Sequence, residues 1–353
     1  MNFDQEGTAA LKSARIERLA AQSRHTPRCR ILGLGGYLPE SVLSNDELGR
    51  IFNLPDDWIF SRTGIRERRI LAPGQDTSDM ALVAARAAIA DAGIAADQIT
   101  HILLASCAPD GLIPNTACTL ERKLGLTGLM AMDFNVACSG FLYGLYLARA
   151  ILSLEPQAKI LLVTAEAMSR ICDAQSRNVR ILFGDGAGAA VIGGGEGPGA
   201  SVEDVLLSSD GTHGEILAAN GAGSRAAYAS PDDPVGDGYF LRMNGREVFK
   251  HAVCNMTEVC QSLLVRNGLR PEDIDLFVPH QANLRIIEAV GQRLGIPAEN
   301  THRYIEHCGN TSSASIPLAL EDAARQKRLH PGDCILLASF GAGFTWGSAL
   351  LRG

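Results

Sequence analysis

Residues 91–103 read DAGIAADQITHIL and residues 266–278 read RNGLRPEDIDLFV, so that Gly93 falls on Gly268 and Ile99 on Ile274 at an offset of 175. The same offset returns further on. EPQAKILLVTAEA, from Glu155, matches HPGDCILLASFGA, from His330, with Pro156 on Pro331 and Ile160 on Ile335. Between them KLGL at 123–126 matches RLGI at 293–296 at an offset of 170, so about five residues were gained or lost nearby. The chain is a duplicated unit. Each copy reads helix, Gly turn, apolar strand, helix, Gly turn, loop, helix, strand.

HILLAS, KILLVTA and DCILLAS are nearly continuous in apolar residues, as a sheet covered on both faces by helices requires. The helices between them, DMALVAARAAIADAG, NTACTLERKLG, SGFLYGLYLARAILS and ANLRIIEAVGQRLG, are rich in Ala and Leu. Two such copies about a pseudo-twofold axis give an α/β fold of several layers. Ligand sites are expected where the strand ends of both copies meet. The expected organisation is an N-terminal extension at 1–28, a first half at 29–200 and a second half at 201–353. The first half carries an insertion from about Asp46 to Pro73. The second opens with a Gly/Ala/Pro-rich stretch, 219–238, which reads as a surface loop. In the extension, Leu11, Ile16, Leu19 and Ala20 form one face of a short helix or belong to a frayed end.

With 353 residues, 46% of them hydrophobic, the chain can bury about three quarters of its extended surface without metal or disulfide support. Its net charge of −7 argues against a nucleic-acid groove. The nine cysteines are odd in number and include no CxxC pair, which points to a reducing compartment and, with no secretory leader in the N-terminal residues, to the cytoplasm. No apolar run reaches the roughly 20 residues that span a bilayer.

The chemistry gathers at three turns. In NVACSGFLYGL the strand ends near Val136 and a helix begins after Cys138, which puts a thiol at a helix N-terminus where its pKa is expected to fall. The plainer alternative is a small core residue. Adding 175 to Cys138 gives Ser313, in a second polar turn that contains Asn310, so the repeat brings Asn310 opposite the thiol. His280 follows a strand ending at Val278 and Pro279; alone it could be a satisfied core or cap histidine, but its position matches the other two. His307 is a minor candidate. In FGAGFTWGSALL the backbone N–H of Ala342 can form an oxyanion hole with that of Cys138. FGDGAGAAV, from Phe183, occupies the matching place in the first half. Neither segment is a dinucleotide or phosphate-loop motif; both also suit tight turns that pack the halves together.

Together these residues resemble the β-ketoacyl-acyl-carrier-protein synthase III family of thiolase-like condensing enzymes. The resemblance runs from Cys29 to Arg352 through DDWIFSRTGIRERRI (56–70), NVACSGFLYGL (135–145), FGDGAGAAV (183–191), MNGREVFK (243–250), VPHQANLRI (278–286), GNTSSASIP (309–317) and FGAGFTWGSAL (340–350). It implies a thiolase-like duplicated fold in five α-β-α-β-α layers, with Cys138, His280 and Asn310 as the catalytic residues. Cys138 would carry the primer from an acyl-CoA as a thioester. His280 Nε2 and the Asn310 amide would hold the enolate left by decarboxylation of malonyl-acyl carrier protein.

It further implies coenzyme A contacts at Trp58, Arg62 and Arg177, a pantetheine position at Arg246 where some members have Asn, and carrier-protein docking at Arg285 with Lys250 nearby. Coenzyme A is then part of a substrate, and no cofactor or metal is expected. A homodimer is implied too, in which the loop DGLIPNTAC (110–118) closes the partner's acyl pocket. Several short-primer members have an aromatic residue where Ile113 stands, so a deeper tunnel and medium-chain primers are expected; Cys308 also departs from the Tyr or His common among relatives. Three rivals share the fold. A thiolase would need a second cysteine in the last Gly-rich loop, which has none, since Cys334 belongs to the preceding strand. A hydroxymethylglutaryl-CoA synthase-like enzyme would need a carboxylate, for which Glu306 is poorly spaced. A specialised starter enzyme, or an acyltransferase to an amine or alcohol, stays open, as does a non-catalytic carrier-binding scaffold.

Overall fold

The computed structural model describes residues 29–220 and 239–353, so the expected extension at 1–28 and most of the loop at 219–238 lie outside the described residues. The first half runs β1 (Arg30–Tyr37), β2 (Ser41–Ser44), α1 (Asn45–Phe52), α2 (Phe60–Thr63), β3 (Glu67–Ile70), α3 (Thr77–Asp91), β4 (His101–Ala105), α4 (Thr116–Leu124), β5 (Met130–Phe134), α5 (Gly140–Leu154), β6 (Lys159–Glu166), α6 (Met168–Ile171), α7 (Arg177–Arg180) and β7 (Gly186–Gly193). The second runs β8 (Ala200–Ser209), β9 (Leu217–Ala218), β10 (Arg242–Met243), α8 (Gly245–Arg266), β11 (Leu276–Pro279), α9 (Leu284–Leu294), α10 (Ser315–Arg325), β12 (Cys334–Gly341) and β13 (Thr345–Arg352). The insertion folds as α1 and α2 framed by the β2–β3 hairpin.

The repeat is visible in the sheet. Its order is β11-β12-β13-β8-β1-β7-β6-β4-β5. In the first half β4 is parallel to β6, and β6, β7 and β1 then alternate in direction. In the second, β11 is parallel to β12, and β12, β13 and β8 alternate likewise. The halves differ at one edge. First-half β5 pairs with β4 over five residues, whereas its counterpart is a single parallel bridge between Phe277 and Thr301. The two portions join through Arg30–Ser201 and Ile31–Ala200, and β8 begins at Ala200, one residue before the expected boundary.

Three cores separate the layers. Helices α3 and α4 cover the outer face of the first-half strands around Met80, Ala84, Leu120 and Leu161. Helices α8 and α9 cover that of the second half around Met256, Leu263, Val290 and Leu336. The middle layer is α5 with α10, whose Phe141, Leu145, Ile316 and Leu320 share one core with strands of both halves. This is the five-layered α-β-α-β-α arrangement. Residues Ala137–Leu154 are apolar enough for the length of a bilayer, and 56% of that stretch is buried because α5 packs against strands of both halves. Each fully buried large side chain there contributes roughly 1.5–3 kcal/mol. Equivalent helices also start alike: Asn115 Oδ1 accepts from Cys118 N at 2.9 Å before α4, and Asn283 Oδ1 accepts from Arg285 N at 2.9 Å before α9.

Candidate active site

Cys138 sits in a single 3-10 turn, Ala137–Ser139, between β5 and α5. Its repeat mate, the turn Ser312–Ala314, precedes α10. The two turns share an uncommon backbone conformation, with φ of 47° at Ala137 and 51° at Ser312. They face each other, and Cys138 Sγ donates to Ser312 Oγ at 3.5 Å. The β12–β13 hairpin fixes the cysteine turn from behind. Ser339 Oγ donates to Cys138 O at 2.7 Å, Ser139 Oγ to Thr345 O at 3.1 Å, and Thr345 Oγ1 to Val136 O at 3.0 Å. A Cβ on Gly341 would stand 2.7 Å from Cys138 N, so the close approach of hairpin and turn requires a residue without one.

His280 continues β11 by donating its N–H to Ala338 O at 2.8 Å. Its Nδ1 lies 2.6 Å from Ser315 Oγ, which also accepts from Gln281 N at 3.3 Å. The Ser315 hydroxyl can point its proton to Nδ1, and in that tautomer the ring proton sits on Nε2. Asn310 is held by the first half: its N donates to Leu182 O at 2.8 Å and its O accepts from Gly184 N at 3.0 Å. This is what the FGDGAG segment does. A Cβ on Gly184 would lie 2.3 Å from Cys308 O and force the segment away. Asn310 Oδ1 accepts from Ser312 N at 2.9 Å, which directs the amide NH₂ elsewhere.

Cys138, His280, Asn310, Ser312 and Ala342 line one cavity of about 370 Å³, whose remaining wall is largely apolar. The thiol, imidazole and carboxamide therefore come together from both halves. Asn283, also in that wall, donates through Nδ2 to Arg62 O at 3.3 Å. Beside it the Arg62 and Arg177 guanidinium carbons lie 4.2 and 5.3 Å from the centre of the Trp58 ring. Arg246 and Lys250 are exposed on the first turns of α8, flanking Phe249, which does line the cavity. Exposed Arg285 opens α9 and donates to Ser61 O at 3.1 Å. Ile113 does not reach its own chain's cavity and is 91% exposed, beside Leu112 at 76%. The other candidates stand apart: His307 is exposed 3.9 Å from Glu67, and Glu306 pairs with Arg66 at 2.6 Å. Cys334 opens β12, at the far end from the Gly-rich loop.

One expectation needs correction. The helix N-terminus was expected to lower the pKa of Cys138, but burial pushes that thiol up to about 12, and the negative charge of Glu166 opposes ionisation further. Burial also drives His280 down to about 3, which keeps its imidazole neutral near pH 7. Glu166, Ser312 and Ser315 went unread in the sequence. Glu166 had one signal: it ends an otherwise apolar strand, and the offset of 175 carries it onto Gly341.

The family described as 3-oxoacyl-[acyl-carrier-protein (ACP)] synthase III matches residues 132–211, and its C-terminal counterpart matches residues 264–353. The β-ketoacyl-[acyl-carrier-protein] synthase III of Oleidesulfovibrio alaskensis is 51% identical over 329 residues, covering 93% of this chain and 99% of its own. The chain belongs to this synthase III family.

A second relative of the same name, from Nitratidesulfovibrio vulgaris strain Miyazaki F, is 54% identical over 324 residues, covering 92% of this chain and 97% of its own. The crystal structure of 3-oxoacyl-(acyl carrier protein) synthase III from Pseudomonas aeruginosa PAO1 superposes with a TM-score of 0.84 at 40% identity, covering 92% of this chain and 98% of that one. As a synthase III it is an acyltransferase of the condensing type, with a thiolase-like fold, acting in fatty acid biosynthesis.

Proposed function

We propose that this synthase III loads an acyl group from acyl-CoA onto Cys138 and condenses it with the carbanion formed from malonyl-acyl carrier protein. The observation that carries this reading is the single cavity lined by Cys138, His280 and Asn310. In the first half-reaction the sulfur attacks the thioester carbonyl, and the N–H groups of Cys138 and Ala342 hold the oxyanion. Coenzyme A leaves. In the second, a malonyl carbonyl oxygen accepts from His280 Nε2–H and Asn310 Nδ2–H. Loss of carbon dioxide gives an enolate that these two neutral donors stabilise, and its carbon attacks the Cys138 thioester. No cofactor takes part, since coenzyme A arrives as part of the substrate.

A neutral His280 suits this task, because an Nε2–H donor is needed throughout and no proton has to be released. The Trp58, Arg62 and Arg177 cluster is where the adenine and phosphate end of coenzyme A would lie, with Arg246 along the pantetheine arm. Exposed Arg285 and Lys250 are suited to an acidic carrier protein. Exposed Leu112 and Ile113 support a homodimer in which the loop 110–118 closes the partner's acyl pocket. The cytoplasm is the proposed location.

Asn310→Asp tests the division of labour. Its charge would repel the enolate, so condensation is expected to fall by at least about 10²–10³-fold while acylation of Cys138 stays measurable by intact mass. Loss of both steps would refute the assignment. Because Ile113 replaces an aromatic ring, octanoyl-CoA is expected to outperform acetyl-CoA as primer; equal or better turnover with acetyl-CoA would exclude the deeper tunnel. The priming β-ketosynthase of the R1128 polyketide biosynthetic pathway is 34% identical with a TM-score of 0.85. A specialised starter specificity is therefore the second reading, and a panel of branched and aromatic acyl-CoAs separates the two.

A further inference from the structure

We propose that Glu166, acting through the Ser312 hydroxyl, receives the thiol proton of Cys138 when the acyl group is loaded. This rests on the reading of Cys138 as the acyl carrier. The chain of bonds is short: Cys138 Sγ donates to Ser312 Oγ at 3.5 Å, and Ser312 Oγ donates to Glu166 Oε1 at 3.1 Å. Oε1 also accepts from Ser313 Oγ at 2.6 Å and from Ser313 N at 3.4 Å. Oε2 accepts from Cys107 N at 2.9 Å, Cys107 Sγ at 3.1 Å and Ser106 Oγ at 3.4 Å.

These groups come from β4's exit and from the turn of the second half. All are neutral donors, and no ion pair to Glu166 occurs among the described residues. The titratable groups facing it are Cys107 and, through Ser312, Cys138. Burial raises the pKa of Glu166, so this carboxylate holds a proton more readily than an exposed one.

His280 is the obvious rival for the proton. Its Nδ1 is occupied by Ser315, and the tautomer that suits decarboxylation already carries a proton on Nε2, where it would have to accept one. An imidazole held in the tautomer that suits the second half-reaction has no free ring nitrogen with which to act as base in the first. Glu166 fills that gap without adding charge to the interior. The S–H bond of Cys138 breaks as its proton passes to Ser312 Oγ, and the Ser312 proton passes to Glu166. One negative charge moves from carboxylate to sulfur. The sulfur pair then forms the bond to the thioester carbon, the bond from that carbon to the coenzyme A sulfur breaks, and the departing thiolate takes the proton back. Glu166 ends ionised and coenzyme A leaves as the thiol. Glu166 touches no reacting carbon, so it is a positioning and proton-holding residue that works through Ser312.

Single-turnover acylation of Cys138 by octanoyl-CoA and acetyl-CoA, followed by rapid quench and intact mass, tests this in wild type, Glu166→Gln and Ser312→Ala. Wild type is expected to change little across neutral pH. Both variants are expected to lose about 100-fold near neutrality and to recover roughly tenfold per pH unit as hydroxide takes over the proton. The wild-type solvent isotope effect adds a readout free of folding defects, with a curved proton inventory expected from two protons in motion. Glu166→Gln acylating as fast as wild type or faster would overturn the proposal, since the carboxylate would then only oppose the thiolate. So would a uniform loss with an unchanged pH profile, which a mere brace between the halves would give. Failure of wild type to acylate at Cys138 would instead sink the reading of the carrier thiol.

Discussion

The turns Ala137–Ser139 and Ser312–Ala314 have the same backbone and opposite jobs. Both place a non-glycine residue at positive φ, and both open a central helix. One presents a thiol; the other presents hydroxyls to it. The strand ends behind them differ in the reverse sense. At the end of β6 the first half has Glu166, which accepts from Ser312 and Ser313 of the second turn. At the matching end of β12 the second half has Gly341, which lets the hairpin approach Cys138 N. Duplication supplied two equivalent scaffolds, and the chemistry lies where the copies stopped being equivalent.

Gly341→Ala should break that comparison most severely. Its Cβ would press on Cys138 N and shift the nucleophile and one oxyanion donor, so kcat is expected to fall about 100-fold and stability to drop by about 1–3 kcal/mol from the overpacking. Unaltered kcat would show that the hairpin tolerates a side chain there and that the asymmetry of the two strand ends has no catalytic weight.

A smaller effect concerns His280, which has no ionisable equivalent at the matching first-half position, Ala105. The unfolded chain protonates this imidazole near pH 6.5 and the folded chain only near 3. Its contribution to stability is therefore constant above about pH 6.5 and declines as pH falls from there toward about 3. In urea unfolding at about pH 7.5 and about pH 5, His280→Gln is expected to lose less stability on acidification than wild type. Equal losses would mean that the folded protein takes up the proton as readily as the unfolded one.

Much of this was legible because the repeat is written in positions that determine packing. Gly93 and Gly268, Pro156 and Pro331, and the strands around Ile160 and Ile335 kept their offset, and they sufficed to pair Cys138 with the turn of Asn310. The near absence of a third parallel strand in the second half was not legible, because Thr301 makes its bridge without an apolar run to announce it. The raised thiol pKa was not legible for a related reason: a helix N-terminus is a local feature, whereas the burial that outweighs it exists only once the chain is folded around Cys138. Glu166 and Ser315 escaped notice because each acts on a neighbour from the other end of the chain or beyond a turn, and only the folded distances of 3.1 and 2.6 Å reveal them.

The most direct check is to incubate the protein with octanoyl-CoA, digest it without reductant and map the acyl adduct among its nine cysteines. A single adduct on Cys138 is the predicted result, with Cys107, the neighbouring thiol hydrogen-bonded to Glu166, left free. An adduct on Cys107, or none on Cys138, would contradict the placement of the reactive sulfur opposite His280 and Asn310.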